Sequence, residues 1–310
     1  MERPRLIIDA RGTQKEIRPL STVIIEKPPH RLGLTTFADH LTKLRRRAEE
    51  RKAENLWREE VEIKIQTDRE WFGVRPLSDL HIGHWGVDYD ALEELLAGFL
   101  LNDNLATIML GDLGDFFTPH ASPRDGHLGD IATPQEQLFA LKKFFVEYQD
   151  KILAVTNDPS HNDWVYKSSG IDTYRLLVED LNIPLVYQGG LIRLNFGEVS
   201  YDIIPFHKIN KFKSSFNLTH SHKRVLEIHR DGDCVLAGHI HKSSFEKAYR
   251  NGHEVALVQC GTLKTEDPWG AKQGMLGRPQ LNYPIILFNT MEKRMQIVDD
   301  LVDAEIFLGS

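Results

Sequence analysis

Five apolar runs of the sequence each end in side chains of the kind that bind divalent metal ions. The residues that follow these runs are Asp79 and His81, Asp112, Asn157, His207, and His239 with His241. Carboxylates and imidazoles are the oxygen and nitrogen donors that borderline divalent ions prefer. In sheet folds with helical connections, ligands gather outside the carboxyl ends of the strands. The five motifs therefore predict one shared site.

The number and type of these donors indicate two ions rather than one. Seven ligand-type side chains exceed what one tetrahedral ion uses, and a carboxylate can bridge two ions. The set contains no thiol, which favours manganese, iron or zinc in a reactive centre over a structural zinc site. Any one of the 14 histidines of the chain, taken alone, is more simply a surface or core residue. The joint pattern carries the prediction.

The elements that must position these motifs alternate between strands and helices, which predicts an α/β protein. Strand-like runs precede each motif, and helical patterns begin near Asp88, Pro134, Ile171 and Ser221. Residues 1–66 differ: they contain short β-branched runs and a basic helix from about Phe37 to Glu59. We therefore predict an N-terminal strand and basic-helix appendage over residues 1–66 and a catalytic domain over residues 67–310.

The overall charge of the chain argues against binding nucleic acid through its whole surface, but it leaves open whether a local basic patch does so. A formal net charge of -7 gives the 310-residue chain no overall attraction for polyanions, so nucleic-acid binding would need a local basic patch. The basic helix offers one, with Lys43, Arg45, Arg46, Arg47, Arg51 and Lys52. These residues either form a solvated face balanced by Glu49, Glu50 and Glu54 or contact a phosphate backbone.

The two cysteines, Cys234 and Cys260, lie in apolar strand-like runs, which predicts buried free thiols in a reducing compartment. The N-terminal segment lacks the apolar core of a signal peptide, and no run is long enough to span a bilayer. We expect a cytoplasmic protein without a membrane partner.

The ordered motifs resemble those of the calcineurin-like metallophosphoesterase superfamily. The resemblance rests on Asp79-x-His81, Gly111-Asp112-x-x-Asp115, an asparagine after the next strand, a later histidine, and Gly238-His239-x-His241, and it covers about residues 70–300. Asp79-Leu80-His81-Ile82-Gly83 is similar to the opening motif of SbcD-type nucleases. The segment from Gly261 onward looks closer to phosphoesterases of phages and prophages. The resemblance implies a four-layer αββα sandwich of two mixed sheets.

The resemblance also implies roles for individual residues. One ion is assigned to Asp79, His81 and His241, the other to Asn157, His207 and His239, and Asp112 bridges them. Asp115 is expected to orient ligands rather than bind metal. Two divalent ions, manganese first and iron, zinc, magnesium or nickel as alternatives, would activate a hydroxide that attacks the phosphorus.

One motif departs from the family pattern. The family usually has Gly-Asn-His, whereas this chain has Thr156-Asn157-Asp158, with His161 and Asn162 further on. We place the ligand at Asn157, with Asn162 as the alternative. The proton donor is expected to be Asp158, or His161, folded back, or His84 from the opposite loop; either histidine can instead be an ordinary loop histidine.

The substrate class follows from weaker signals. The SbcD-like motif and the basic helix favour a phosphodiesterase acting on DNA or RNA. The alternatives are a phosphomonoesterase for a phosphoprotein or small phosphate, and a catalytically weak scaffold of the same fold. Lys264, Trp269 and Lys272 are expected to line a substrate groove unless they are packing or surface residues. Homodimerisation is expected only by analogy with related nucleases.

Overall fold

The computed structural model describes residues 5–8, 14–17, 37–54, 57–118, 129–158, 160–209, 217–267 and 281–309. The chain forms two compact units, Met1–Leu56 and Trp57–Ser310. In the first unit, β1 (Arg5–Ile8) and β2 (Gln14–Ile17) pair antiparallel, and α1 spans Phe37–Glu54. All the residues expected to bind metal belong to the second unit.

Eleven strands of the second unit form one mixed sheet. They are β3 (Trp57–Lys64), β4 (Trp71–Val74), β5 (Leu105–Met109), β6 (Ile152–Thr156), β7 (Leu185–Asn195), β8 (Ser200–Pro205), β9 (Cys234–Ala237), β10 (Ser244–Arg250), β11 (His253–Gln259), β12 (Ile285–Asn289) and β13 (Met295–Val298). Hydrogen bonds join them in the order β10-β11-β9-β8-β7-β6-β5-β4-β12-β13, with β3 beside β7.

Helices pack against both halves of this sheet. The helices of the second unit are α2 (Tyr89–Leu101), α3 (Pro134–Glu147), α4 (His161–Ser169), α5 (Thr173–Val178), α6 (His220–Ile228) and α7 (Leu301–Leu308). Local sequence sets their starts: Asp88 caps α2, and Thr133 and Glu136 form a capping box before α3. Helix α5 contacts β7, α6 contacts β9 and β11, and α7 contacts β4 and β12.

The expectation of two separate sheets is wrong. Strand β7 joins the two halves, because its start pairs with β6 at Leu185 and Val186, whereas its end pairs with β8. The sheet then bends back on itself: the Tyr201 ring of β8 packs on Phe288 of β12, with centroids 4.8 Å apart. A strongly twisted sheet of this width curls rather than staying open. The α/β class is confirmed, with a single, nearly closed mixed sheet.

The bend explains why five strand ends meet. Strands β4, β5 and β6 run parallel, and β7 starts where β6 ends. Strand β8 returns antiparallel along β7, with β9 parallel to it. The carboxyl ends of β4, β5, β6, β8 and β9 therefore lie at one edge. This is the edge at which the sequence places its metal-binding residues.

Strand β3 belongs to the second unit, since it pairs with β7 from Trp57 to Lys64. Helix α1 ends at Glu54, five positions before the expected Glu59, and one of the β-branched runs of this segment, residues 21–26, lies outside the described residues. The functional division into residues 1–66 and 67–310 stays a prediction. Cys234 and Cys260 are buried and free. Within the described ranges, no helix has the length and apolarity to cross a membrane.

Candidate metal centre

The loops at this edge hold an unusual backbone conformation. Among the described residues, eight non-glycine residues have positive φ, and five of them are expected metal ligands. These five are Asp79, His81, Asp112, His239 and His241, with φ between 47° and 71°. Such conformations are uncommon outside glycine and cost on the order of 1–3 kcal/mol each. Strain concentrated at one edge of the sheet is typical of a functional site.

Two glycines let the loops approach each other. A Cβ on Gly238 would lie 1.9 Å from Ser78 Oγ and 2.6 Å from Asp79 Oδ2. A Cβ on Gly111, whose φ is +123°, would lie 2.7 Å from His207 Nδ1. No other residue fits either position without moving the neighbouring loop. The glycines of Gly111-Asp112 and Gly238-His239 therefore allow the ligand residues to meet.

Asp79, His81 and His241 form the first cluster. His241 Nε2 lies 3.2 Å from Asp79 Oδ1 and 3.1 Å from His81 Nε2. His81 Nδ1 lies 2.7 Å from Asp115 Oδ1, which assigns the proton of the neutral ring to Nδ1 and leaves a lone pair on Nε2. Asp79 Oδ1 accepts no hydrogen bond from the described residues. An orphaned carboxylate oxygen and convergent imidazole nitrogens fit a divalent cation.

The electrostatics of this cluster suit a cation. Burial lowers the pKa of His81 to about 4, so the ring is neutral near pH 7. Burial opposes ionisation of Asp79, but the neighbouring imidazoles of His241 and His207 hold the pKa of Asp79 at about 2. A neutral imidazole and an ionised carboxylate are the protonation states in which these groups bind metals.

Asp112, His207 and His239 form the second cluster, with donor atoms within 4.8 Å of one another. His207 Nε2 lies 3.1 Å from Asp112 Oδ2. Burial disfavours the imidazolium of His207, but the carboxylates of Asp112 and Asp158 outweigh it and raise the pKa of His207 to about 10. Burial and the neighbouring His207 lower the pKa of His239 to about 3. In the metal-free protein, the positive charge of protonated His207 therefore compensates the negative charge of the Asp112 carboxylate.

Asp112 lies between the two clusters. Its carboxylate also groups with His81 and His161, so its oxygens face side chains of both halves. The Ser160 hydroxyl contacts Asp112 Oδ1 at 2.8 Å and Asp158 Oδ1 at 2.6 Å. This placement is the one a bridging carboxylate requires.

The two asparagines considered as ligands have other partners. Asn157 Oδ1 accepts a hydrogen bond of 2.6 Å from the backbone N–H of Gln188. Asn162 Oδ1 accepts hydrogen bonds from the backbone N–H and the hydroxyl of Thr173. A carboxamide oxygen has two lone pairs, so the bond from Gln188 leaves Asn157 one for a metal. The role of Asn157 stays a prediction.

Asp158, one of the residues considered as proton donor, is buried in the site. Its Oδ1 lies 3.8 Å from His207 Nε2, and its Oδ2 accepts hydrogen bonds of 3.2 Å from the backbone N–H groups of Asp112 and Asn162. Oδ1 also accepts from the backbone N–H of Ser160. Asp158 thus ties the loop after β6 to the loop after β5. In the sequence, the run Asp158-Pro159-Ser160 is typical of a turn capped by its own side chains. This pattern alone indicates that Asp158 bonds nearby backbone groups.

The two histidines expected as proton donors occupy different surroundings. His161 folds back onto the cluster: its Nδ1 bonds the backbone carbonyl of Asp115, and its Nε2 lies 3.7 Å from Asp112 Oδ2. His84 Nδ1 instead accepts a hydrogen bond of 2.9 Å from the backbone N–H of Gly86. Burial, reinforced by the charge of Lys264, lowers the pKa of His84 to about 4. His161 belongs to a cluster whose donor atoms could hold a metal ion, whereas His84 belongs to none in the described part of the chain.

Of the three residues expected to line a substrate groove, the structure describes only Lys264. Lys264 is buried, and its Nζ lies 3.2 Å from Asp115 Oδ1. Trp269 and Lys272 lie outside the described residues. Lys264 is therefore turned into the protein towards Asp115.

Two solved structures align with about three quarters of this chain. The structure of the calcineurin-like phosphoesterase YfkN from Bacillus subtilis matches 76% of this chain and 92% of its own, with a TM-score of 0.41 and 9% identity. Vps29 from Entamoeba histolytica, complexed with Zn+2, matches 74% of this chain and 99% of its own, with a TM-score of 0.35 and 10% identity. No family model and no curated protein matches the chain. Because both TM-scores lie below 0.5, we base the functional conclusion on the side chains of this chain.

Proposed function

We propose that this protein is a two-metal phosphoesterase that hydrolyses phosphodiester bonds, with nucleic acid as the substrate class. The observation that carries the proposal is the convergence of His81 Nε2, His241 Nε2 and the orphaned Asp79 Oδ1 beside a second cluster that shares Asp112. Phosphoryl chemistry is the natural use of two adjacent divalent ions, because they contact both the attacking and the leaving oxygen.

The chain's own residues divide the binding task. Asp79, His81 and His241 would hold the first ion, His207, His239 and Asn157 the second, and Asp112 would contact both. When bound, two divalent ions supply an activated water and neutralise the charge of the phosphate. The donors are nitrogen and oxygen atoms without sulfur, which suits manganese, iron or zinc, and we take manganese as the first ion to test.

His161 is the residue best placed to hold the proton for the leaving group. Its Nδ1–H is held by the backbone carbonyl of Asp115, so a second proton can only sit on Nε2. That nitrogen points into the site beside Asp112 Oδ2. The rings of Trp164 and Phe117, at 4.2 Å and 5.2 Å, fix its plane. We infer that His161 donates the Nε2 proton to the departing oxygen.

The preference for diesters rests on the SbcD-like motif Asp79-Leu80-His81-Ile82-Gly83 and on the basic helix α1. The described side chains of α1 from residue 42 to residue 50 are exposed, including Arg45, Arg46 and Arg47. Arg46 makes one surface ion pair, with Glu50 at 3.5 Å. Exposed arginines on one helix can contact phosphates without sequence preference.

Hydrolysis of two chromogenic substrates tests the proposal. The metal-depleted protein, reloaded with Mn²⁺, should cleave bis-p-nitrophenyl phosphate faster than p-nitrophenyl phosphate, and should then degrade single- or double-stranded DNA or RNA. Faster cleavage of the monoester would replace the diesterase by a phosphomonoesterase. Cleavage of neither compound with any of manganese, iron, zinc, magnesium or nickel would overturn the enzymatic proposal and favour a scaffold.

A further inference from the structure

Lys264 lies behind the first cluster, in a loop fixed to the loop that carries Asp79. The Thr262 hydroxyl donates a hydrogen bond of 2.8 Å to the carbonyl of Asp79, and the backbone N–H of Leu263 bonds the same oxygen. Lys264 itself forms a β-bridge with Val87. The backbone of Lys264 is thus held to the loop that presents Asp79 and His81.

The ammonium of Lys264 is almost completely buried, at 3% side-chain exposure. Its Nζ lies 3.2 Å from Asp115 Oδ1 and 3.7 Å from Asp267 Oδ1. Lysine is rarely buried this deeply unless paired, and a buried ion pair adds little stability because both charges lose their hydration. Stability alone therefore does not account for Lys264, and its contact with Asp115 suggests a role in the site.

The contact with Asp115 leads directly to a ligand of the first cluster. The same oxygen, Asp115 Oδ1, lies 2.7 Å from His81 Nδ1, so Lys264 and His81 share one acceptor. Burial and the charge of Asp115 raise the pKa of the neighbouring Asp130 to about 8, so Asp130 adds no second full charge near neutral pH. Lys264 is therefore the cation that compensates the negative charge of Asp115 and orients Asp115 Oδ1 towards His81 Nδ1.

We propose that Lys264 is a positioning residue for the first metal ion, acting through Asp115 and His81; this rests on the proposed two-metal function. The ammonium holds Asp115 with Oδ1 towards His81 Nδ1–H, and the hydrogen bond from His81 fixes the plane of its ring. His81 Nε2 is then aimed at Asp79 and His241. Carboxylates that orient a metal-binding histidine in this way typically contribute 10- to 100-fold to metal affinity.

A metal titration of the apoprotein tests this role without using activity. Mn²⁺ binding is measured calorimetrically for the full chain and for Lys264→Met, which keeps length and removes charge. We expect two ions to bind the wild type, and one of the two binding steps to weaken by about 10- to 100-fold in Lys264→Met. The other step should change by less than about threefold. Lys264→Gln, which also removes the charge, serves the same test should Lys264→Met fail to fold.

A double-mutant cycle separates positioning from general structural support. If Lys264 acts through Asp115, Lys264→Met should have no further effect on metal affinity in an Asp115→Asn background. The matched control is Lys151→Met. Lys151 is also largely buried and donates a hydrogen bond to the carbonyl of Asn102, but it lies at the start of β6, away from the candidate metal centre at the end of that strand. Its substitution should leave both binding steps unchanged.

Two results would overturn the inference. One is a Lys264→Met protein that binds both ions as tightly as the wild type, and the other is an equal loss in the presence and absence of the Asp115 carboxylate. Failure of the wild type to bind any metal would instead overturn the proposed function. The two failures are therefore distinguishable within one set of titrations.

Discussion

His81 Nε2 and His241 Nε2 lie 3.1 Å apart, although 160 positions separate the two residues in the chain. With the Nδ1 proton of His81 on Asp115, the facing nitrogen of His81 carries a lone pair, and a cation between the two rings would satisfy both. Asp79 Oδ1, 3.2 Å from His241 Nε2, completes a three-donor face. The remaining features of the site follow from this geometry.

Removal of one of these donors should abolish metal-dependent hydrolysis. We expect His241→Ala to lower the rate of bis-p-nitrophenyl phosphate cleavage with Mn²⁺ by more than about 100-fold, because even indirect partners of a metal contribute 10- to 100-fold. The control is His220→Ala, which removes an exposed histidine at the start of α6. Activity that survives His241→Ala would rule out the first cluster as the metal site.

The proposed acid, His161, should matter most for substrates with poor leaving groups. General acid catalysis typically contributes about 10²- to 10⁴-fold, and p-nitrophenolate needs little protonation. We expect His161→Ala to slow alkyl or nucleotide diesters far more than bis-p-nitrophenyl phosphate, measured as kcat/KM over a leaving-group series. The same comparison with His84→Ala is the control. Equal losses across the series would remove His161 as the acid.

The stability of the metal-free protein should decline above neutral pH because of His207. Although burial opposes its charge, Asp112 and Asp158 raise the pKa of His207 from 6.5 to about 10. Its stabilising contribution is therefore complete below pH 6.5 and is lost as the pH rises through about 10. We expect the free energy of unfolding in EDTA, from urea denaturation, to fall between about pH 7 and pH 9.

Below pH 6.5 the buried neutral histidines act in the opposite sense. The pKa values of His81 and His239 are lowered to about 4 and about 3, so their contribution is lost as the pH falls through these values.

The control for the alkaline side is His207→Gln, in which the decline above pH 7 should disappear. A decline of unchanged size in that variant would contradict the assignment.

Gly238→Ala should damage both folding and metal binding. Its Cβ would overlap Ser78 Oγ at 1.9 Å, and relieving this contact has to move the Asp79 or His239 loop. We expect a loss of about 1–3 kcal/mol in the free energy of unfolding together with weakened Mn²⁺ binding. Gly252→Ala is the comparison: its left-handed φ of +86° makes alanine unfavourable, but a Cβ there meets nothing within 4 Å. Gly252→Ala should lower stability without changing metal affinity. If Gly238→Ala gave the same result, the close approach of Gly238 to the Asp79 loop would not matter for metal binding, which would contradict the account.

The basic helix should contribute to nucleic-acid binding in a salt-dependent way. Replacing Arg45, Arg46 and Arg47 together by glutamate should weaken binding to single- and double-stranded DNA and reduce the slope of affinity against salt concentration. Replacement by lysine at the same three positions keeps the charge and is the matched control. Unchanged binding in the glutamate variant would identify this surface of α1 as merely solvated.

The sequence predicted which side chains gather at this edge of the sheet better than it predicted the sheet that gathers them. Asp79, Asp112, His207 and His239 each follow an apolar run, and strand ends gather such residues for topological reasons. The single sheet was not predictable, because it depends on β7 pairing with β6 at Leu185 and Val186, a contact that no local pattern encodes.

The partners of individual polar groups were equally hidden. The oxygen of Asn157 bonds the backbone of Gln188, 31 positions away, and Lys264 reaches Asp115, 149 positions away. A lysine in a glycine-containing loop is typical of a solvated surface, whereas Lys264 is buried and its backbone bridges to Val87. Long-range pairing of this kind decides whether a polar residue is a ligand, a positioning residue or a surface group.

The most direct test of the two-metal centre is anomalous diffraction at the manganese edge from crystals grown with Mn²⁺. We predict two manganese peaks per chain, one bound by Asp79, His81 and His241 and the other by His207 and His239, with Asp112 between them. Ligand distances should be about 2.0–2.3 Å, as for nitrogen and oxygen donors in comparable sites. A map with full Mn²⁺ in the crystal and no peak between the imidazoles of His81 and His241 would contradict the account.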